Sequence, residues 1–229
     1  MRHSDRDLVR ALPLFRNVGE TQFDGLMNAA FLQRFPPHVV LIEEGQPPDF
    51  LHIVVDGTVE LFARTAERET TLDIIQPVTT FILAAVIRDD VYLKSARTLT
   101  SAQILMLPAT SVRDVFDRDA HFARAIVDEL ALRYRDLVRA LKDHKLRSSA
   151  ERLANWILES NRQQGGHGQI MLRHDKRTLA SRLGMTPENL SRNLASLAEH
   201  GISSNGRKIV ITDHEALQRW ARPNSLIDG

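Results

Sequence analysis

Between residues 39 and 107 the chain is dense in apolar and β-branched positions, and turn-forming clusters break it at Glu44-Gly45-Gln46-Pro47-Pro48, Asp56-Gly57 and Gln76-Pro77. Short strands joined by tight turns follow from that pattern. In the clearest stretch Leu51, Ile53 and Val55 alternate onto one face, Asp56-Gly57 supplies a turn, and Val59 and Leu61 resume the alternation. This predicts a hairpin packed on one side. Repetition of such strands predicts a small antiparallel barrel or roll, with amphipathic helices over residues 7–12 and 20–30 beside it.

The pattern changes over residues 119–145, which contain neither Gly nor Pro and are rich in helix formers. One long helix is expected. Ala123, Val127, Leu130, Tyr134, Leu137 and Leu141 recur at alternating steps of four and three, the spacing of a two-helix seam, so this helix is expected to hold a homodimer together. The same stripe would also suit packing on the roll. A dimer could use one face while the roll takes Phe122, Ile126 and Val138.

After Ser148-Ser149 a further helix carries Leu153, Trp156, Ile157 and Leu158, and Gln163-Gln164-Gly165-Gly166-His167-Gly168 ends it before a short strand, Ile170-Met171-Leu172. Gly206 to Thr212 has the pattern of a hairpin wing, and Asp213 to Arg222 that of a closing helix ahead of a loose tail. The expected class is α+β. Its parts are an N-terminal antiparallel β-roll sensor over residues 1–118, a dimerisation helix over 119–147 and a winged helix-turn-helix over 148–229.

Within the last segment, Lys176 to Leu183 is a short helical stretch with Leu179, Ala180 and Leu183 inward, followed by Gly184-Met185-Thr186 and then Pro187 to Leu197. Glycine in the turn, Thr186 as N-cap and Pro187 at the first helical position form a strong helix start. Leu190, Leu194 and Leu197 face a core at steps of four and three, which leaves Glu188, Ser191, Arg192 and Ala195 outward. Recognition helices touch base edges with residues near their N-termini. There Arg192 can fork onto guanine O6 and N7, Glu188 can accept from a cytosine amine, and Ser191 offers an adaptable polar contact. Thr186 and Asn189 complete the candidate set on this helix, and Arg207 and Lys208 on the wing could clamp phosphates. Glu188 and Arg192 are also spaced as an ordinary i, i+4 ion pair, so the inference rests on the conjunction of turn, cap, preceding helix and wing.

Composition narrows the chemistry. The 229 residues carry 30 basic and 29 acidic side chains, so any surface for nucleic acid must be local. Cysteine is absent, which removes disulfides, thiolate catalysis, cysteine-ligated iron–sulfur clusters and cysteine zinc sites. No apolar run approaches the roughly 20 residues of a membrane span, and a cytoplasmic protein is expected. There is no G-x-S-x-G elbow, phosphate loop or H-E-x-x-H, and the adjacent carboxylates Glu43-Glu44 would point to opposite faces of a strand, so an enzyme is not expected.

Leu41-Ile42-Glu43-Glu44-Gly45 through Leu51 to Val59, together with Thr186-Pro187-Glu188-Asn189-Leu190-Ser191-Arg192, resembles the Crp/Fnr family of bacterial regulators, and the resemblance extends over essentially the whole chain. It implies a DNA-binding homodimer that works with RNA polymerase, as activators of the family do, and that answers to a small-molecule effector. A Glu followed three and four residues later by Ser-Arg is the pattern of the Fnr-like branches, whose preferred site resembles TTGAT-N4-ATCAA. On the effector side the sequence departs from the family's cyclic-nucleotide sensors: Leu83 and Ala84 stand where Gly and Glu would bind ribose, and Lys94-Ser95 where an Arg-Ser pair would bind phosphate. Cyclic AMP is therefore not expected, and an iron–sulfur cluster is excluded. What remains includes a cysteine-less branch of Dnr- and NnrR-like regulators, for which the resemblance implies haem and nitric oxide; the alternatives are an effector-independent regulator controlled by its own abundance, or a ligand-binding dimer that acts through protein partners. Phe81 to Ile87 would suit an apolar cofactor or plain core, and His52 and His144 are the histidines placed to be considered for iron, with neither assigned.

Overall fold

The computed structural model describes residues 3–228, with side chains from Arg6 onward. The chain divides within its longest helix into two units, Met1–Tyr134 and Arg135–Gly229. The first unit opens with helices α1 (His3–Arg10) and α2 (Glu20–Ala29) and continues through strands β1 (Phe31–Phe35), β2 (Val40–Ile42), β3 (Phe50–Asp56), β4 (Val59–Arg64), β5 (Glu69–Ile75) and β6 (Thr79–Phe81). Helix α3 (Leu83–Arg88), strands β7 (Ser95–Thr98) and β8 (Ala102–Pro108), helix α4 (Ala109–Arg118) and the long α5 (Ala120–Leu146) follow. Two four-stranded antiparallel sheets result, ordered β1-β8-β3-β6 and β2-β7-β4-β5. Their facing side chains, with Phe15, Phe23 and Leu26 of the N-terminal segment and Phe122 and Ile126 of α5, make one core. The expected roll and long helix are both present.

The expected hairpin at Asp56-Gly57 is not. β3 pairs with β6 and β8 in one sheet, while β4 pairs with β5 and β7 in the other, so the chain changes sheets at this corner. β3 is accordingly buried on both faces: His52 and Val54 are as enclosed as Leu51 and Ile53. Gly57 makes the corner possible, with φ +85° and its α-carbon so near β8 that a Cβ would lie 2.3 Å from the Ser101 carbonyl oxygen and 2.6 Å from Ala102 Cα.

In the second unit α6 (Ser149–Gln163) starts from a capping box, in which the Ser148 hydroxyl accepts from Glu151 N–H and the Glu151 carboxylate accepts from Ser148 N–H at 2.8 Å. β9 (Gln169–Met171), α7 (Lys176–Arg182), α8 (Pro187–Ser196), a 3-10 turn (Leu197–His200), β10 (Ile202–Asn205), β11 (Lys208–Ile211), α9 (His214–Ala221) and α10 (Ser225–Asp228) complete it. Its sheet is ordered β10-β11-β9, so the wing hairpin is also tied to the strand that precedes α7. The expectation of a loose tail is corrected. Asp228 receives two hydrogen bonds of 2.6 Å from the Arg147 guanidinium, which also meets Asp143 at 3.0 Å. Burial works against ionisation of Asp228, but Arg147 and the Asn224 N–H hold its carboxyl below the usual range. A sequence tail without apolar periodicity gave no sign of this charged anchor.

Gly57→Ala is expected to destabilise the N-terminal unit by at least about 1–3 kcal/mol, because alanine would be strained at this φ and its methyl would collide with β8. Calorimetric unfolding would show it as a lower Tm for that unit, with the transition of the other unit unchanged.

Candidate nucleic-acid interface

α7 and α8 form the helix-turn-helix, and each starts at a side-chain cap. Asp175 accepts from Thr178 N–H at 2.7 Å, and the Thr186 hydroxyl accepts from Asn189 N–H at 3.2 Å. The turn between them uses Gly184 at φ +63°, where a Cβ would strike the His144 ring at 2.1 Å. Leu190, Leu194 and Leu197 are buried with Leu179, Ala180 and Leu183, together with Leu153 and Ile157 of α6. The opposite face of α8 is therefore fixed as an exposed one, carrying Glu188, Ser191, Arg192 and Ala195, with Asn189 at its edge.

On that face the side chains are bonded along their own helix. Ser191 donates to the Pro187 carbonyl at 3.0 Å, and Arg192 donates to the Asn189 side-chain oxygen in place of an ion pair with Glu188. The fully exposed Glu188 carboxyl is held below the usual range, first by its own N–H and then by the Thr186 side chain. These local bonds are exchangeable for bonds to a ligand at little cost, because each lies in solvent.

The wing carries Arg207 and Lys208, both exposed, at the turn between β10 and β11. Arg207 is less available than the sequence suggested: its Nε donates to the Leu172 carbonyl at 3.1 Å and its Nη2 to the Arg173 carbonyl at 2.8 Å. Lys208 has no such commitment among the hydrogen bonds and ion pairs of the described residues.

Several residues that shape this site were not singled out in the sequence. Arg152, 9% exposed, donates to the carbonyls of Leu183 (3.0 Å), Gly184 (3.4 Å) and Arg147 (2.8 Å), so α6 grips the turn directly. Asn193 on α8 donates to the Ser149 hydroxyl at 3.1 Å. The available signal was a charged residue on the inward face of α6 beside Leu153. His144, considered above for iron, instead packs on Gly184 within this unit.

The expected seam on α5 is split. Val127, Tyr134, Leu137 and Leu141 are 54%, 68%, 68% and 59% exposed, while Leu130 packs partly against the roll core and Ala123 is half-buried. Phe122 and Ile126 enter the roll core as expected; Val138 does not, being 39% exposed and beyond the first unit.

In the roll, Leu83 is buried at the start of α3 after Ile82, whose φ of 62° is left-handed, and Ala84 is exposed. The Ser95 hydroxyl accepts from Glu44 N–H at 3.0 Å. Burial pulls the Lys94 ammonium below the usual lysine range, Arg133 adds to that, and Asp73 opposes it. His52 is 5% exposed, with Nδ1 3.1 Å from the Phe50 carbonyl and its ring 5.3 Å from that of Phe81. Burial lowers its pKa to about 4, against the hydrogen bond to Phe50. Enclosed between the Phe50 and Phe81 rings, this imidazole does not fit an axial haem ligand.

Two domain models match the chain: a cyclic nucleotide-binding domain over residues 32–119 and a Crp-like helix-turn-helix domain over residues 151–220. The chain is a Crp/Fnr family regulator. The regulator is 26% identical over 224 residues to a CRP-like cAMP-activated global transcriptional regulator of Mycobacterium tuberculosis, covering 95% of this chain and all of the relative. Among solved structures, a Crp/Fnr-family protein from Eubacterium rectale aligns with a TM-score of 0.75 at 19% identity, over 93% of this chain and 99% of the other. DNR from Pseudomonas aeruginosa aligns with a TM-score of 0.53 at 21% identity, over 96% and 98%. At these identities the structural likenesses speak for the fold. No helix among the described residues is long and apolar enough to cross a membrane.

Thr186→Ala should cost about 1 kcal/mol of stability in the C-terminal unit by removing the cap of α8, whereas Thr186→Ser should cost little. Both tryptophans, Trp156 and Trp220, lie in this unit, so tryptophan fluorescence in urea reads the difference directly.

Proposed function

We propose that this regulator binds DNA as a homodimer and reads a TTGAT-N4-ATCAA-like palindrome through Glu188, Ser191 and Arg192. The observation that carries the reading is the outward face of α8: buried Leu190 and Leu194, with Leu197 just beyond its end, fix the rotation of the helix, and its cap fixes the start. Arg192 takes the guanine, Glu188 the cytosine amine, and Ser191 an adjacent base or phosphate. Thr186 and Asn189 support the N-terminal end of the helix, while Lys208 and the remaining donors of Arg207 meet the backbone.

The bare stripe Val127, Tyr134, Leu137 and Leu141 supports the dimer. Two copies of α5 packed along it bury apolar surface that a single chain leaves in water. The recognition helices of such a dimer would meet half-sites about 34 Å apart. Pro187 and Ser191 support a place among the Fnr-like readers, and the absence of cysteine one in the branch without an iron–sulfur cluster. Cyclic AMP does not gate it: the buried Leu83 side chain occupies the position of a close-approach glycine, and Ala84 has no carboxylate for a ribose. A haem, which that branch implies, finds no fit at His52, whose ring is enclosed by those of Phe50 and Phe81.

The test is fluorescence anisotropy of the full chain with a TTGAT-N4-ATCAA duplex and a scrambled duplex at one salt concentration. Selective binding, unaffected by cyclic AMP, is expected; equal weak binding to both duplexes overturns the base-reading assignment. Arg192→Ala should cost about 1–3 kcal/mol on the cognate site and relax the preference at one guanine per half-site, as read by a binding selection. Leu137→Asp should shift the chain towards monomer in sedimentation and weaken palindrome binding, leaving the tryptophan-monitored unfolding of the C-terminal unit near wild type.

A further inference from the structure

The short helix α10 lies on the joint between α5 and α6. α9 ends at Arg222, whose φ of 46° is left-handed, and Asn155 of α6 fixes that end by donating to the Ala221 carbonyl at 2.8 Å. Pro223 follows, and Asn224 then starts α10: its side-chain oxygen accepts from Leu226 N–H at 2.8 Å, and its own N–H donates to Asp228 Oδ2 at 2.6 Å. From here the segment reaches back to the long helix. Lys142 Nζ donates to the Leu226 carbonyl at 3.2 Å, and the Arg147 guanidinium donates to both oxygens of Asp228, each at 2.6 Å. Arg147 and Ser148 are the residues between α5 and α6, and the Arg147 side chain is 7% exposed. All of these groups belong to the second unit.

The bonding continues inward from Arg147. Its carbonyl accepts from Arg152 at 2.8 Å, and the Arg152 guanidinium also holds the Leu183 and Gly184 carbonyls in the turn before α8. Two guanidinium groups in series therefore link Asp228 to the helix-turn-helix. The inner end of this path is buried, and the outer end is not. No residue of α10 is buried, and Leu226 is 70% exposed, so little apolar area holds the segment down. Its docking rests on polar contacts, chief among them the forked pair of Arg147 and Asp228. A segment held in this way opens locally far more easily than a packed core.

We infer that α10 is a releasable strap: docked, it holds the α5–α6 joint and, through Arg152, the turn that aims α8, and its release lowers DNA affinity. The inference rests on the reading of α8 as the DNA-facing helix. Release leaves Arg147 with Asp143, an i, i+4 partner that ties it only to its own helix. The joint then samples further arrangements, and apparent affinity falls by the factor by which the competent fraction falls. Base preference is kept, because Glu188, Ser191 and Arg192 take no part in the strap.

The test compares the full chain with Asp228→Asn, with a chain ending at Pro223 and with Asp143→Asn, by amide hydrogen exchange and by anisotropy on the TTGAT-N4-ATCAA and scrambled duplexes. In the first two variants the amides of residues 146–152 and 183–186 should exchange about tenfold faster or more. The cognate duplex should bind them roughly three- to tenfold more weakly, with its preference over the scrambled duplex retained. Asp143→Asn, which removes only the partner inside α5, should stay near wild type in both measurements. Unchanged exchange in Asp228→Asn overturns the strap, and so does faster exchange with unchanged affinity, or an equal effect from Asp143→Asn. Should the shortened chain fail to fold, Asp228→Asn decides alone, as a neutral isostere at a partly exposed group. A wild type that does not distinguish the duplexes overturns the reading of α8 instead, and the exchange of the two amide sets then decides whether the strap holds the joint.

Discussion

Arg152 is a charged side chain in the interior of the C-terminal unit, and its guanidinium ends on three main-chain carbonyls: Arg147 before α6, and Leu183 and Gly184 in the turn of the helix-turn-helix. A buried cation is tolerated only when its donors are satisfied, and here the acceptors are backbone groups that no helix ladder uses. Removing the charge would orphan carbonyls at both ends of the arrangement. The turn, the start of α6 and the exit from the long helix are therefore held at one atom group, and the direction in which α8 presents its outward face depends on it. Gly184 completes the joint, since its missing Cβ leaves room for the His144 ring.

Elements governed by local rules were legible in the sequence. The long helix follows from an uninterrupted run of helix formers, and the recognition helix from Thr186, Pro187 and three leucines at helical spacing. Elements governed by distant partners were not. Asp56-Gly57 reads as a hairpin turn, but β8 lies against Gly57 and separates β3 from β4 into different sheets. Nothing within the eleven residues from Leu51 to Leu61 records that crossing. Arg152 and Asp228 escaped notice for a related reason: a charged residue announces an exposed surface in one dimension, and its buried partners, Leu183 and Arg147, lie 31 and 81 residues away.

The stripe on α5 changes its surroundings along the helix. Near its start, Phe122 and Ile126 go to the roll core, and Leu130 marks the edge of that contact. From Tyr134 onward the large apolar side chains face water in a single chain. Heptad spacing marks one face of the helix, and the place where the roll core ends decides how much of that face stays exposed. Elsewhere in the roll, Lys94 is a lysine whose charge is opposed by burial and by Arg133, and Leu83 is buried at the start of α3.

Ile82 gives that end of the roll a mechanical character. A β-branched residue at φ 62° sits where its own backbone would not choose to be, at a cost on the order of 1–3 kcal/mol. Phe81, Leu83 and Val86, all buried, supply the packing that keeps it there. The junction between β6 and α3 is in effect a cocked spring with a hydrophobic latch, and the roll stores at this point a small free energy that any rearrangement releasing the latch would recover.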